Sequence, residues 1–183
     1  MKCTGGDCMI TLGEVADIVS GYNVARLSEA DQDRKYSNAD FEHDFYQMKL
    51  ASPSNPIIYR QSMAEHNMSA TIIADDNQDK FISQVFSIMK VNMEKLDPWY
   101  LCYLLNESNI IARQCSVLLQ GSVIARLSAH QLKQMQIPLP PMEEQKRIGK
   151  LYATALYQYY LETTASGKKL AGILSILHDT ESK

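Results

Sequence analysis

Asp75, Asp76 and Asp79, followed at once by Lys80, place three carboxylates and an ammonium within one short stretch, the composition of a metal-dependent nuclease centre. The same cluster suits a hairpin turn, because Asp and Asn side chains hydrogen-bond their own backbone and Asn77 sits inside it. Asp97-Pro98-Trp99-Tyr100 has the outline of an amino-methyltransferase motif, but neither N-P-P-[YF] nor D-P-P-Y is present. It fits a helix opening better: a cap acceptor, then a residue whose φ is already set for the first helical position. Cys3 and Cys8 could form half a metal site, yet no second pair at ligand spacing follows, and His43, His66, His130 and His178 are scattered. Cys115 has no cue linking it to a His and Asp pair. The eight glycines are dispersed and none forms GxGxxG or GxxxxGK[ST]. Each constellation has a better structural reading, so the expectation is a protein that is not an enzyme, with no metal and no cofactor.

The elements that must position any recognition surface follow from size and pattern. The chain has 183 residues, 45% hydrophobic and 21% charged, enough for one domain with a core and an appended element. No apolar run approaches the roughly 18–20 residues of a membrane span, and MKCTGGDCMI lacks the apolar stretch of a secretory signal. Four ordinary reduced thiols and a cytoplasmic location are expected. Residues 1–142 carry 12 Lys and Arg against 16 Asp and Glu; residues 143–183 carry 6 against 5. Nucleic-acid binders usually show a basic excess, so any such role must rest on a local patch.

Leu12–Gly21 suits a short helical turn running into a strand, and residues 28–46 read as an exposed polar loop. Three β-like stretches follow at Pro56–Tyr59, Thr71–Ala74 and Phe81–Val91, the last two forming a hairpin around Asp75-Asp76-Asn77. Asp97-Pro98 opens a helix with Leu101, Leu104, Leu105 and Ile111 along one stripe, ended by Gly121 or the turn beyond it. Ser128 starts a short helix that Pro138 stops, and Ile137-Pro-Leu-Pro-Pro141 is a stiff extended connector. After it, Met142-Glu-Glu begins a helix with no Pro before about Leu177, some 50 Å long at ~1.5 Å per residue. Ile148, Leu151, Ala155, Tyr159, Leu170, Ile173 and Leu177 follow a 3/4 spacing that weakens at Glu162, Ser166 and Gly167. So long an amphipathic helix is expected to pair with another long helix; the alternatives are folding back on its own domain or a break at Gly167.

Two signatures carry a resemblance: the opening LGEVADIVSG, and Gly121-Ser122 followed by Ile137-Pro-Leu-Pro-Pro-Met-Glu-Glu-Gln-Lys-Arg-Ile148 leading into the long helix. Together they resemble the specificity subunit of type I restriction-modification systems, in which a recognition domain ends in such a connector and hands over to a long helix. The resemblance covers about residues 11–177. It implies an α+β fold: a leader at 1–10, a mixed α/β target-recognition domain at 11–141, a spacer helix at 142–178 and a tail at 179–183. The helix would pair in an antiparallel coiled coil. A full specificity subunit has two recognition domains and two helices, whereas this chain has one of each, so it resembles a half-subunit that two copies would complete.

The implied partners are double-stranded DNA, a methyltransferase subunit, a restriction subunit where one accompanies it, and a second copy of the chain, with no membrane. Two recognition domains related by a two-fold axis would read two inversely related half-sites. Arg60, Gln61, His66 and Asn67 are the candidate base readers, since Arg matches guanine and Gln or Asn matches adenine. Arg26, Arg34 and Lys35 are candidate phosphate contacts. The alternative reading is an interaction or regulatory protein with weak or no DNA binding, favoured by the acidic balance of residues 1–142.

Overall fold

The computed structural model describes residues 9–23, 31, 34–61, 68–120 and 126–181. Four antiparallel strands form the main sheet in the order β2-β5-β3-β4: β2 is Ala16–Ser20, β3 Ile57–Arg60, β4 Ala70–Ile72 and β5 Phe86–Val91. A separate two-stranded ribbon pairs β1, Met9–Thr11, with β6, Gln136–Pro138. Period-2 alternation puts Ile57, Tyr59 and Met89 into the larger hydrophobic cluster and Ile58 and Phe86 into a smaller one with Tyr36, Phe41, Ile73 and Ile82. Both faces of the sheet are therefore covered.

The segment read as an exposed loop differs from that expectation. Asn38–Gln47 is a helix, α1. Ser37 Oγ accepts from the Asp40 amide at 3.1 Å while the Asp40 carboxylate accepts from the Ser37 amide at 2.9 Å, a reciprocal cap that satisfies two orphan donors. Phe41, Phe45 and Met48, one helical turn apart, are all buried. Three large apolar side chains on one face outweigh the polar residues between them.

The hairpin expected between residues 71–74 and 81–91 is also corrected. β4 pairs with β3, not β5, and Asp75–Asn77 is a 3-10 turn outside any hairpin. β5 begins at Phe86, five residues later than the apolar run suggests, because Phe81–Val85 is spent on bridges to neighbouring loops.

Asp97 opens α2, Pro98–Glu107, by accepting from the Tyr100 amide at 2.8 Å. The single helix expected here is two: Ser108 is extended, and α3 runs Asn109–Leu119. Asn106 Oδ1 accepts from the Ser69 and Ala70 amides at 2.8 Å and its Nδ2 donates to the Ala70 carbonyl at 2.9 Å, tying the end of α2 to β4. Asn106, Ser108 and Asn109, whose short polar side chains compete for backbone hydrogen bonds, allow the break.

α4, Ala129–Gln134, starts at a Ser128 cap, as its sequence suggests. The connector is extended but not free: β6 lies in it, with Pro138 opposite Met9. The β1–β6 ribbon draws the start and end of the domain together, and includes Met9 and Ile10 of the stretch read as a leader. Residues 1–8, with Cys3 and Cys8, lie outside the described residues, as do Gly121 and Ser122. α5 then runs unbroken from Met142 to Glu181, through Gly167.

Candidate nucleic-acid interface

One end of the sheet gathers the loops. Ser20 pairs with Ser87 and Arg60 with Phe86, so β2, β3 and β5 reach this end in register. Beyond them the backbone is cross-linked: the Tyr22 amide donates to Ile82 (2.8 Å), Gln84 to Tyr22 (2.9 Å), Gln61 to Val85 (3.1 Å) and Leu127 to Gln61 (3.1 Å). Gly21 is required in this lattice, because a Cβ there would meet the Ile82 carbonyl oxygen at 2.6 Å. The result is a rigid rim from which Tyr22, Gln84, Val85 and Arg126 project into solvent.

Arg34 and Lys35 are held on the adjoining run. The Phe81 amide donates to the Arg34 carbonyl at 2.8 Å and the Tyr36 amide to the Phe81 carbonyl at 3.1 Å. Arg34 Nη2 donates to the Asp79 carbonyl at 2.9 Å, and its guanidinium lies 5.2 Å from the Phe81 ring centre. Both side chains are exposed, and Arg34 Nη1 lies 3.9 Å from Asp31 Oδ1.

The two described base-reader candidates are placed differently. Gln61 is 4% exposed, and its Nε2 donates to Ser87 Oγ at 3.1 Å, so its amide serves the sheet interior in this conformation. Arg60 is half-buried, its guanidinium 4.4 Å above the Phe41 ring. Phe41 stacks on Phe86 at 5.7 Å, and Tyr36 meets Phe86 edge-on. Arg26, His66 and Asn67 lie outside the described residues. The sequence reading missed Tyr22, Gln84 and Arg126, which share no motif and become neighbours only through the backbone lattice.

Beneath the rim, Asp44 is fully buried and accepts from Tyr36 Oη and Asn77 Nδ2, each at 2.8 Å. Burial raises its carboxyl above the ordinary range, against the lowering effect of those bonds, and the same burial raises the Tyr36 phenol. This network ties α1 to the Asp75–Asn77 turn. Asp75 itself accepts from Asn55 Nδ2 at 2.6 Å and from the Ser52 amide at 3.4 Å, both bonds holding its carboxyl below the usual range. Among the described residues no group of three or more His, Cys, Asp or Glu could hold a metal ion.

The long helix has two regimes. From Met142 to Tyr160 it is seated on α2 and α1, with Gln145, Gly149 and Ala153 buried at one-turn intervals and Ile148, Tyr152 and Leu156 packed on the core. Gln145 Oε1 accepts from the Asp97 amide at 2.9 Å, and its Nε2 donates to the carbonyls of Pro140 at 2.8 Å and Lys95 at 3.2 Å. From residue 161 onward every described side chain except the half-buried Thr164 is exposed. At ~1.5 Å per residue this arm extends roughly 30 Å. Of the residues read as a pairing stripe, Ile148 packs against its own domain, whereas Leu151, Ala155, Tyr159, Leu170, Ile173 and Leu177 are exposed. Among the described residues no helix is long and apolar enough to cross a membrane.

Residues 9–166 match a family described as the type I restriction modification DNA specificity domain. A 67-residue stretch is 39% identical to a protein assigned as the MjaX type I restriction enzyme specificity subunit of Methanocaldococcus jannaschii, covering 35% of this chain and 15% of that one. The fold is similar to the HsdS subunit from Thermoanaerobacter tengcongensis, with a TM-score of 0.52 at 18% identity over 91% of this chain and 41% of that chain. It is also similar to a chain from a structural study of assembly and conformational transition in the type I R-M system. There the TM-score is 0.54 at 18% identity, over 93% of this chain and 46% of that one. The chain thus spans less than half the length of the relatives it matches.

Proposed function

The chain belongs to the type I restriction modification DNA specificity domain family, and on that premise we propose that it reads DNA as a half-specificity unit. Two copies joined through α5 present two recognition domains to inversely related half-sites. The assembly directs a methyltransferase subunit, with a restriction subunit where one exists, to that bipartite sequence. The observation that carries this reading is the exposed arm: a 21-residue continuation of α5 bearing Leu170, Ile173, Leu174 and Leu177 in solvent. A contiguous apolar stripe of this kind marks an interface, here with a second unit of the same design.

The rim carrying Tyr22, Gln84 and Arg126, flanked by Arg34 and Lys35, is the surface proposed to meet DNA. Arg34, Lys35 and Arg126 make phosphate contacts and fix register; base discrimination comes from polar side chains at the rim. Arg60 and Gln61 support that rim from below rather than reading bases themselves.

Binding selection from a randomised duplex pool, at moderate salt and with methyltransferase partner present and absent, tests this. The expected product is an inverted bipartite motif with a fixed gap. Replacing Arg126 by Ala should weaken binding uniformly across sequences and lower the salt slope by about one. Recovery of no motif under either condition would replace DNA reading with a purely interaction-based role.

A further inference from the structure

At the head of β5 the chain makes a tight turn. The Phe86 amide donates to the Ser83 carbonyl at 3.0 Å, which leaves Gln84 and Val85 at the two corners. Backbone bonds hold this turn on each side. The Gln84 amide donates to the Tyr22 carbonyl at 2.9 Å, the Gln61 amide to the Val85 carbonyl at 3.1 Å and the Gly21 amide to the Phe86 carbonyl at 3.0 Å. Gly21 approaches so closely that a Cβ there would collide with the Ser83 carbonyl. The corner residues themselves serve neither the turn nor the core. Gly, Pro, Asn, Asp and Ser favour such corners, and a β-branched valine is better suited to a strand. Gln84 and Val85 are both exposed, Val85 by 41%, while Ser83 and Phe86 on either side are buried. A rigid turn that presents an amide and an apolar side chain to solvent breaks a local rule, and such breaks gather at functional sites.

Cations stand at both ends of the lattice that contains the turn. At one end Lys35 bridges to Phe81, whose amide donates to the Arg34 carbonyl. At the other end Gln61, bonded to Val85, accepts from the Leu127 amide, next to the exposed Arg126. Phosphate contacts fix register while base edges supply specificity. A short turn between cations divides those two tasks. The corner chemistry then selects the bases. A glutamine amide offers a donor and an acceptor together, the complement of adenine N7 and N6 in the major groove, and an apolar side chain there meets the 5-methyl group of thymine. Consecutive Cα atoms lie ~3.8 Å apart, close to the ~3.4 Å rise between stacked base pairs.

We infer that the Gln84–Val85 turn is the base-reading element of the domain, with Gln84 taking the N6 and N7 edge of an adenine and Val85 packing on the 5-methyl of a thymine within one base-pair step of it. This rests on the half-specificity reading and names bases that its half-site contains. The backbone lattice orders the turn before DNA arrives, so little freedom remains to be lost on binding. Replacing the A·T element by G·C removes both contacts at once and leaves the amide facing an edge that cannot satisfy it.

The test uses the full chain and the motif that it selects from the randomised pool. In that duplex each adenine is replaced in turn by 7-deazaadenine, which lacks the N7 acceptor, and each thymine by uracil, which lacks the 5-methyl. One 7-deazaadenine position in the half-site should weaken binding about fivefold, and one uracil position within a step of it about fourfold. Gln84→Ala should weaken binding to the unmodified duplex roughly tenfold and abolish the response to that 7-deazaadenine. Val85→Ala should abolish the response to that uracil. Arg126→Ala should bind more weakly yet keep both responses. Both corner side chains are exposed and the turn is held by backbone bonds, so the variants keep the fold, which thermal melts check. The base-analogue measurements on the unsubstituted chain stand independently of the variants. A half-site without an A·T pair, or responses that persist unchanged in Gln84→Ala and Val85→Ala, overturns this assignment and leaves DNA reading intact. A chain that selects no motif overturns the half-specificity reading as well.

Discussion

The two halves of α5 belong to one unbroken helix with opposite surroundings. Residues 142–160 are buried at one-turn intervals against α1 and α2, with Gln145 bonded to three backbone groups of its own domain. Residues 161–181 touch almost nothing and expose leucine and isoleucine. Two glycines mark the contrast. A Cβ at Gly149 would meet the Tyr100 nitrogen at 2.5 Å, Asp97 Oδ1 at 2.6 Å and Trp99 Cβ at 2.8 Å, whereas a Cβ at Gly167 would meet nothing within 4 Å. The first half is therefore shaped by intramolecular packing, whereas the second lies in solvent.

The sharpest way to break this contrast is to exchange both glycines in turn. Gly149→Ala forces α5 away from the α2 N-terminus and should destabilise the domain by about 3 kcal/mol, an overpacking penalty against which helix propensity returns only a part. Gly167→Ala removes helix-interior glycine from open space and should stabilise by up to about 1 kcal/mol. Thermal melts of the two variants should move in opposite directions. Equal losses would mean that the distal half is packed as tightly as the proximal one.

A smaller effect is expected from Gln145→Leu. The side chain is nearly isosteric, but the Asp97 amide and the Lys95 and Pro140 carbonyls lose their partner in a site where Gln145 is 2% exposed. Buried groups left unsatisfied should cost about 2 kcal/mol. Because the same bonds set the direction in which α5 leaves the domain, small-angle scattering should show a broader distribution of shapes. An unchanged melting temperature would show that packing alone seats the helix.

How much of this was legible in the sequence depends on where each signal lies. The long helix was visible because acids at its start, the absence of proline and a sustained 3/4 stripe all act locally, and the PLPP connector announced it. The Asp97 and Ser128 caps were equally local. α1 was missed because Phe41, Phe45 and Met48 are only three apolar residues among polar ones, and their burial is decided by the sheet beneath them. The β3–β4 pairing was missed because Asp75-Asp76-Asn77 has turn chemistry whether or not strands flank it. The rim was the least legible feature: Tyr22, Gln84 and Arg126 come from distant segments, and only the hydrogen bonds among residues 22, 61, 82–85 and 127 bring them to one edge. Gln61 carries base-reader chemistry in the sequence, while in the fold it lies just past β3 with its side chain buried and bonded to Ser87 Oγ.

The boundary between the two halves of α5 is itself a testable contact. Tyr46 on α1 meets Tyr159 at 5.9 Å and Tyr160 at 6.3 Å between ring centres, and Lys49 lies 5.7 Å from the Tyr157 ring. Beyond this group every described side chain of the helix except the half-buried Thr164 is exposed. Tyr46→Ala removes aromatic pairs whose geometry contributes about 1 kcal/mol beyond area burial. Measured at a concentration where the chain is monomeric, amide exchange should be slow through residue 160 and fast beyond it. In the variant the fast region should extend about one turn further toward the domain. Fast exchange confined to residues 161–181 in both proteins would place the anchor at Leu156 and make the tyrosines part of the pairing surface instead.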